Sequence, residues 1–295
     1  IVCYDMSGEL LFQLNARGQG PGEYTDINAF AVNASLHQLV IYDNMKQSLM
    51  FYSTEDGRFV KSEKFNKPTP AEIAYWGGYF FYHNRLHRNY QDDISLHYYL
   101  LASKDGITIG KRYFKHENNK EDYPFSPSGH NLYDNNSKLY YCRDFDNIVY
   151  QIHEDSVVPR FRINLPNPLP ASMIEERPNE MSLLRSGYSL GITDIYEYGG
   201  LLFFRFVKDG YIWSCLYNVE ESKQVYCAKR IKFLDSSLID TIDGIYKDCF
   251  YSILTPEYLD YAFSENPLED YPDLFKTYDV EGDNPVIAFY RAVVR

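Results

Sequence analysis

Tyr4-Asp5-Met6-Ser7-Gly8-Glu9, Tyr52-Ser53-Thr54-Glu55-Asp56-Gly57-Arg58 and Ser103-Lys104-Asp105-Gly106 are three versions of one turn. Gly8, Gly57 and Gly106 recur at a step of about 49 residues, within the range of propeller repeats. Weaker echoes follow at His153-Glu154-Asp155-Ser156, Asn218-Val219-Glu220-Glu221-Ser222 and Tyr278-Asp279-Val280-Glu281-Gly282. Six echoes of one turn predict six copies of one supersecondary unit.

Working outward from the turns, strand-like runs fall in a set order. The best example is Ile27–Val32, Gln38–Asp43, Ser48–Tyr52 and Phe59–Glu63, four strands joined by tight turns. The runs are apolar without strict alternation, the pattern of sheets covered on both faces. The expected fold is all-β: a six-bladed β-propeller of four-stranded antiparallel blades, with the first blade incomplete at the N-terminus. As a single domain, 1–295, its approximate blades are 1–24 (partial), 25–70, 71–127, 128–186, 187–236 and 237–295. The last blade draws its strands from Thr241–Tyr246, Cys249–Ile253, Thr277–Asp279 and Pro285–Tyr290. Three stretches fit no blade: 116–127, 165–186 and 255–274. The second predicts one or two short helices broken at Pro178, and the third a helical turn from Pro256.

Composition narrows the partners. Among 295 residues are 29 Tyr and 19 Phe against 2 Trp, a surplus suited to half-buried strands. The formal net charge of −12 repels a phosphate backbone, so nucleic acid is not an expected partner. No apolar run approaches the ~18 residues of a transmembrane helix. The five cysteines include no CxxC pair, which argues against a zinc finger or a thioredoxin motif. Cys215 and Cys227 flank the turn at Glu221 symmetrically, so they form either two buried thiols in a strand pair or a cross-strand disulfide.

Arg17-Gly18-Gln19-Gly20-Pro21-Gly22-Glu23-Tyr24 resembles the blade-joining loop of a six-bladed propeller family of Bacteroides-type envelope proteins, itself similar to NHL repeats. Glu281-Gly282-Asp283-Asn284-Pro285-Val286 is similar to the lead-in of that family's closing strand. The resemblance spans essentially the whole chain. It implies a protein without an established activity, located in the bacterial periplasm or on the outer-membrane surface and lipid-anchored at full length. A complete member would also carry an export signal and the inner half of the first blade.

Candidate sites follow from the blade alignment. Gly18, Gly20 and Gly22 lead into a strand with no Lys-Ser/Thr after them, so they read as a tight link rather than a phosphate cradle. His83 and His87 have i, i+4 spacing but sit where a strand runs into a loop, so the spacing does not align their rings for a metal. Asp26, Asn28, Glu72, His130, Asn131, Asp194, Asp240 and Asp243 fall near the start of each innermost strand and are the channel-lining candidates. Such oxygen donors suit Ca²⁺, and a channel metal would serve a lactonase or hydrolase. Trp76, Trp213 and Tyr258 are the candidates for stacking on a sugar ring.

The expected function is a non-enzymatic, monomeric ligand-binding module that takes a glycan or peptide at one propeller face and needs no cofactor. A metal-dependent hydrolase with a channel Ca²⁺ and a scaffold for an envelope protein are the alternatives.

Overall fold

The computed structural model describes residues 1–65, 69–84, 94–116, 129–176, 178–229, 242–265, 273–282 and 284–291. The chain divides into two compact units: Ile1–Pro124 with His153–Val157, and Phe125–Ile152 with Val158–Arg295.

The first unit opens with β1 (Val2–Tyr4) and β2 (Leu10–Gln13), a two-stranded sheet of their own. Two four-stranded antiparallel meanders follow. One is β3 (Ile27–Asn33), β4 (Gln38–Asp43), β5 (Ser48–Ser53) and β6 (Phe59–Lys64). The other is β7 (Pro70–Trp76), β8 (Tyr79–Asn84), β9 (Tyr98–Ser103) and β10 (Lys111–Lys115). On β4, Val40 and Tyr42 enter one hydrophobic cluster while Leu39 and Ile41 enter another. Both faces of that sheet are therefore buried, which explains an apolar run without alternation.

The repeated turns have one physical cause. Gly8, Gly57 and Gly106 stand at φ 86°, 70° and 84°, a region that strains any residue with a Cβ. An aspartate ties the first and third turns. Asp5 Oδ1 accepts the amides of Ser7 and Glu9 at 2.8 and 2.9 Å, and Asp105 Oδ1 accepts those of Ile107 and Thr108 at 2.8 and 2.7 Å.

The second unit holds, Val157 apart, one four-stranded sheet: β11 (Leu132–Asp134), β12 (Leu139–Tyr141), β13 (Ile148–Ile152) and β14 (Val157–Arg162). Helices α1 (Ala171–Glu175) and α2 (Glu180–Leu184) fall on either side of Pro178, as expected. They lead to a second such sheet: β15 (Ser189–Tyr198), β16 (Leu201–Lys208), β17 (Tyr211–Asn218) and β18 (Lys223–Ala228). The last sheet has three strands, β19 (Gly244–Tyr246), β20 (Cys249–Leu254) and β21 (Val286–Tyr290). Between β20 and β21 lie α3 (Pro256–Glu265), packed through Leu259 and Ala262 against Leu254, and α4 (Asp273–Lys276).

These sheets are blades of the β-propeller kind, and among the described residues there are five rather than six. The expectation of six came from counting turns. Five of the echoes do join strands: β1 to β2, β5 to β6, β9 to β10, β13 to β14 and β17 to β18. The first, however, joins a pair that is not a blade. The sixth joins no strands at all: Thr277–Asp279 is not a strand, and Asp279 Oδ1 accepts the Glu281 amide in a local turn before β21.

Buried tyrosines give the cores a recurrent polar tie. The hydroxyl of Tyr52 donates to Gly22 O at 3.1 Å, that of Tyr82 to Gly106 O at 2.6 Å and that of Tyr196 to Asp243 O at 2.9 Å. The ring fills the core while the hydroxyl donates to a backbone carbonyl. Burial pushes the Tyr52 hydroxyl up to about 12.

In the second unit, Asn135 and Glu197 join the sheet that begins at β11 to the one that begins at β15. Asn135 accepts the Glu197 amide at 2.6 Å and donates to Ile195 O at 3.1 Å. The Glu197 carboxylate, 8% exposed, accepts Lys138 Nζ at 2.7 Å, Arg160 Nη2 at 2.9 Å and the Tyr140 hydroxyl. Burial pushes this carboxyl up, but the three donors and the Arg160 charge outweigh it and hold the group below its ordinary value of 4.5. Glu197→Ala strands these donors and is expected to lower stability by about 2 kcal/mol, since the two cations remain partly solvated. A depressed folded-state value means the contribution is complete above the unfolded value and is lost as pH falls through the folded one. Urea titrations at neutral and acidic pH should therefore show the gap between wild type and Glu197→Ala closing on the acid side. A gap that stays constant across that range would refute this assignment.

Candidate functional site

The first strands of the blades were expected to carry the chemistry, and each candidate on them has a defined neighbourhood. In the first unit Asp26 is exposed just ahead of β3. Asn28 Nδ2 donates to Pro70 O at 2.6 Å, linking the start of β3 to that of β7. Glu72 is half-buried on β7, opposite His83 of β8 in the strand register. The glycine-rich link is filled by its own sequence: Gly20 N donates to Glu23 Oε2 at 2.7 Å, and a Cβ on Gly18 would lie 2.1 Å from that oxygen. The carboxylate stands where an anion would bind, so the loop works as a self-closed joint.

In the second unit the candidates gather more closely. His130 is exposed and its carbonyl accepts the Tyr133 hydroxyl, which lies 3.3 Å from Thr193 Oγ1. Thr193 Oγ1 donates to Asp194 Oδ2 at 3.1 Å, and Arg205 Nε donates to the same oxygen at 2.6 Å. Asp194 is buried at a register shift of β15 with φ 52°, where a non-glycine residue is strained. Asn131 is buried and donates to Cys142 O at 2.9 Å and Asp144 Oδ1 at 3.2 Å. Asp243 Oδ2 accepts the Ile253 amide at 2.7 Å. Asp240 and His87 lie outside the described residues.

Two of these carboxylates already have partners. The Asp194 carboxylate already faces the Arg205 guanidinium, whose charge repels a second cation, and an Asp243 oxygen is held by a backbone amide. Among the described residues no three His, Cys, Asp or Glu side chains group as metal ligands.

The three stacking candidates occupy unlike surroundings. Trp76 ends β7, half-buried beside the Gly77-Gly78 turn. Tyr258 is half-buried on α3 and packs on the cluster around Leu259 and Phe275. Trp213 lies on β17 with its ring stacked on Phe206 of β16, centroids 6.2 Å apart and planes at 10°. Its indole N–H is buried with no acceptor among the described residues.

Next to Trp213 are two residues the sequence reading missed. Tyr211 is 54% exposed, and Lys229 Nζ lies 3.4 Å from its ring centroid and 5.8 Å from that of Trp213. The usable signal was Asp209-Gly210, a dipeptide typical of two-residue hairpin turns. Both residues have positive φ, 54° and 72°, and the turn puts Tyr211 and Trp213 two apart on one face of the following strand. Two residues further along that face, Cys215 of β17 is bridged by a disulfide to Cys227 of β18, its register partner.

Comparison with known proteins agrees with the fold. A candidate exported protein of Bacteroides fragilis superposes with a TM-score of 0.76 at 17% identity, covering 97% of this chain and 82% of its own. A member of the DUF4221 family from Bacteroides vulgatus matches at a TM-score of 0.44 and 10% identity, over 77% of this chain and 73% of its own. BamB of Moraxella catarrhalis matches at 0.40 and 8%, over 75% and 53%. None of the curated proteins matches the sequence. The family model of the domain of unknown function DUF4934 matches residues 1–291, and the chain belongs to that family.

Proposed function

We propose that this chain is a non-enzymatic binding module of the bacterial envelope that takes a glycan on the aromatic end of a blade. One contrast carries the reading. Three of the polar side chains at the starts of the blades are committed to internal partners: Asp194 with Arg205, Asn131 with Cys142 O and Asp243 with the Ile253 amide. At the β16–β17 turn, by comparison, Tyr211 leaves more than half of its surface open beside Trp213. Sugar rings are held by such faces, which offer apolar contact to C–H groups and a polar rim to hydroxyls.

Placement outside the cytoplasm is supported by the Cys215–Cys227 disulfide and by the exported character ascribed to the Bacteroides fragilis neighbour. A lipid anchor, kinship with NHL repeats and action as a monomer complete the reading.

The test is a thermal-shift panel of oligosaccharides, peptides and Ca²⁺. A ligand at about 100 times its Kd adds ~2.7 kcal/mol to the native state, a rise of several degrees. The expected result is a rise with oligosaccharides that a chelator leaves unchanged. A rise with Ca²⁺ alone, reversed by chelator, would replace this reading with the hydrolase. A rise with peptides alone would replace the glycan.

A further inference from the structure

We infer that the β16–β17 end of the blade selects an acidic sugar, a ring bearing a carboxylate such as a uronic acid. The inference rests on the glycan reading and names the class within it.

The argument starts from strand register. Lys208 faces Tyr211 and Phe206 faces Trp213 across β16 and β17, while Ser214 faces Ala228 and Cys215 faces Cys227 across β17 and β18. Continuing that register by one residue sets Lys229 beside Trp213. Alternation along strands then places Lys208, Tyr211, Trp213 and Lys229 on one face, with the disulfide two residues inward. The bridge fixes the two strands at the pair next to Trp213, so Lys229 is carried to a set position over the rings.

The local charge is opposite in sign to the chain's net charge of −12: Lys229 lies over the Tyr211 ring, and Lys208 is the register partner of Tyr211. Among the described residues Lys229, which is exposed, pairs with no carboxylate, and its ammonium lies over the rings of Tyr211 and Trp213. Lys208 lies 3.8 Å from Asp209, an exposed carboxylate at loose ion-pair distance. An ammonium on a ring face keeps N–H donors for an anion arriving at the ring edge. A neutral sugar would use only the Tyr211 surface that Lys229 leaves open. An acidic one uses the face and the charge together, with its carboxylate accepting from Lys229.

The experiment is calorimetric titration of the intact protein with oligomers of galacturonic acid and with galactose oligomers of equal length. Wild type is expected to prefer the acidic oligomer by roughly tenfold or more, the scale of one charge-assisted hydrogen bond. Lys229→Gln should remove that preference while leaving the neutral oligomer unchanged, and Tyr211→Ala should weaken both. Melting temperatures near wild type would establish that both variants fold. If both oligomers bind equally and Lys229→Gln changes neither, the acidic-sugar inference is overturned while the glycan reading stands. If neither oligomer binds and no other oligosaccharide does, the glycan reading falls and takes this one with it.

Discussion

Gly191→Ala is expected to destabilise the protein by about 3–5 kcal/mol, more than removal of any single hydrogen bond described above. Two effects add. Gly191 lies on β15 with φ 103°, which an L side chain rarely adopts, and its backbone passes close to the β12–β13 turn. A Cβ there would stand 2.8 Å from the Cα of Phe145 and 3.0 Å from its backbone nitrogen. Backbone cannot rotate aside as a side-chain tip can, so either the turn or the strand must move. Phe145 itself has φ 60°, which leaves the turn little slack. Gly199→Ala is the matched comparison: φ is 59° and nothing lies within 4 Å of an added Cβ, so only the local penalty of about 1–2 kcal/mol applies. Urea denaturation of the pair decides the matter. Equal midpoints would mean that the close approach of Gly191 to Phe145 does not constrain the fold.

Loss of the Cys215–Cys227 bridge is expected to cost about 3 kcal/mol in the chain-entropy picture for a cross-link of this span. The sequence separation is 12, and the cysteines face each other in register across the hairpin. What changes is the unfolded chain, which gains freedom when the link is cut. Cys215→Ser with Cys227→Ser, or reductant added to the wild type, should lower the melting temperature by roughly 6–12 °C. Serine at 215 adds a small further penalty because that position is buried. Identical melting curves with and without reductant would show that the bridge contributes nothing to global stability.

The turns were legible because their chemistry is local. Asp5 and Asp105 close their own turns and Gly8, Gly57 and Gly106 supply the positive φ, so residue type alone reveals them. The number of blades was not legible in the same way. A turn reports that two strands meet, and it says nothing about how many others join them; β1 and β2 therefore looked like the outer half of a blade, and Tyr278–Gly282 like a hairpin. The helices on either side of Pro178 were visible through that proline.

At the candidate sites the sequence located residues but not their partners. Asp194 reads as an open carboxylate until Arg205, eleven residues later, is seen to reach it from the adjacent strand across a register shift. Trp213 stood out by rarity. Tyr211 and Lys229 did not, since one is among 29 tyrosines and the other lies just past the end of the next strand, where only register brings it alongside.

The division into two compact units has a practical consequence. Of the two tryptophans, Trp76 belongs to the first unit and Trp213 to the second. Nature has thus placed one fluorescent reporter in each, with no labelling required. Trp76→Phe leaves emission that speaks only for the second unit, and Trp213→Phe leaves emission that speaks only for the first. Coincident curves from the two variants would describe a molecule that melts all at once; separated curves would describe one that comes apart in stages, with an order that could be read directly from the colour of its light.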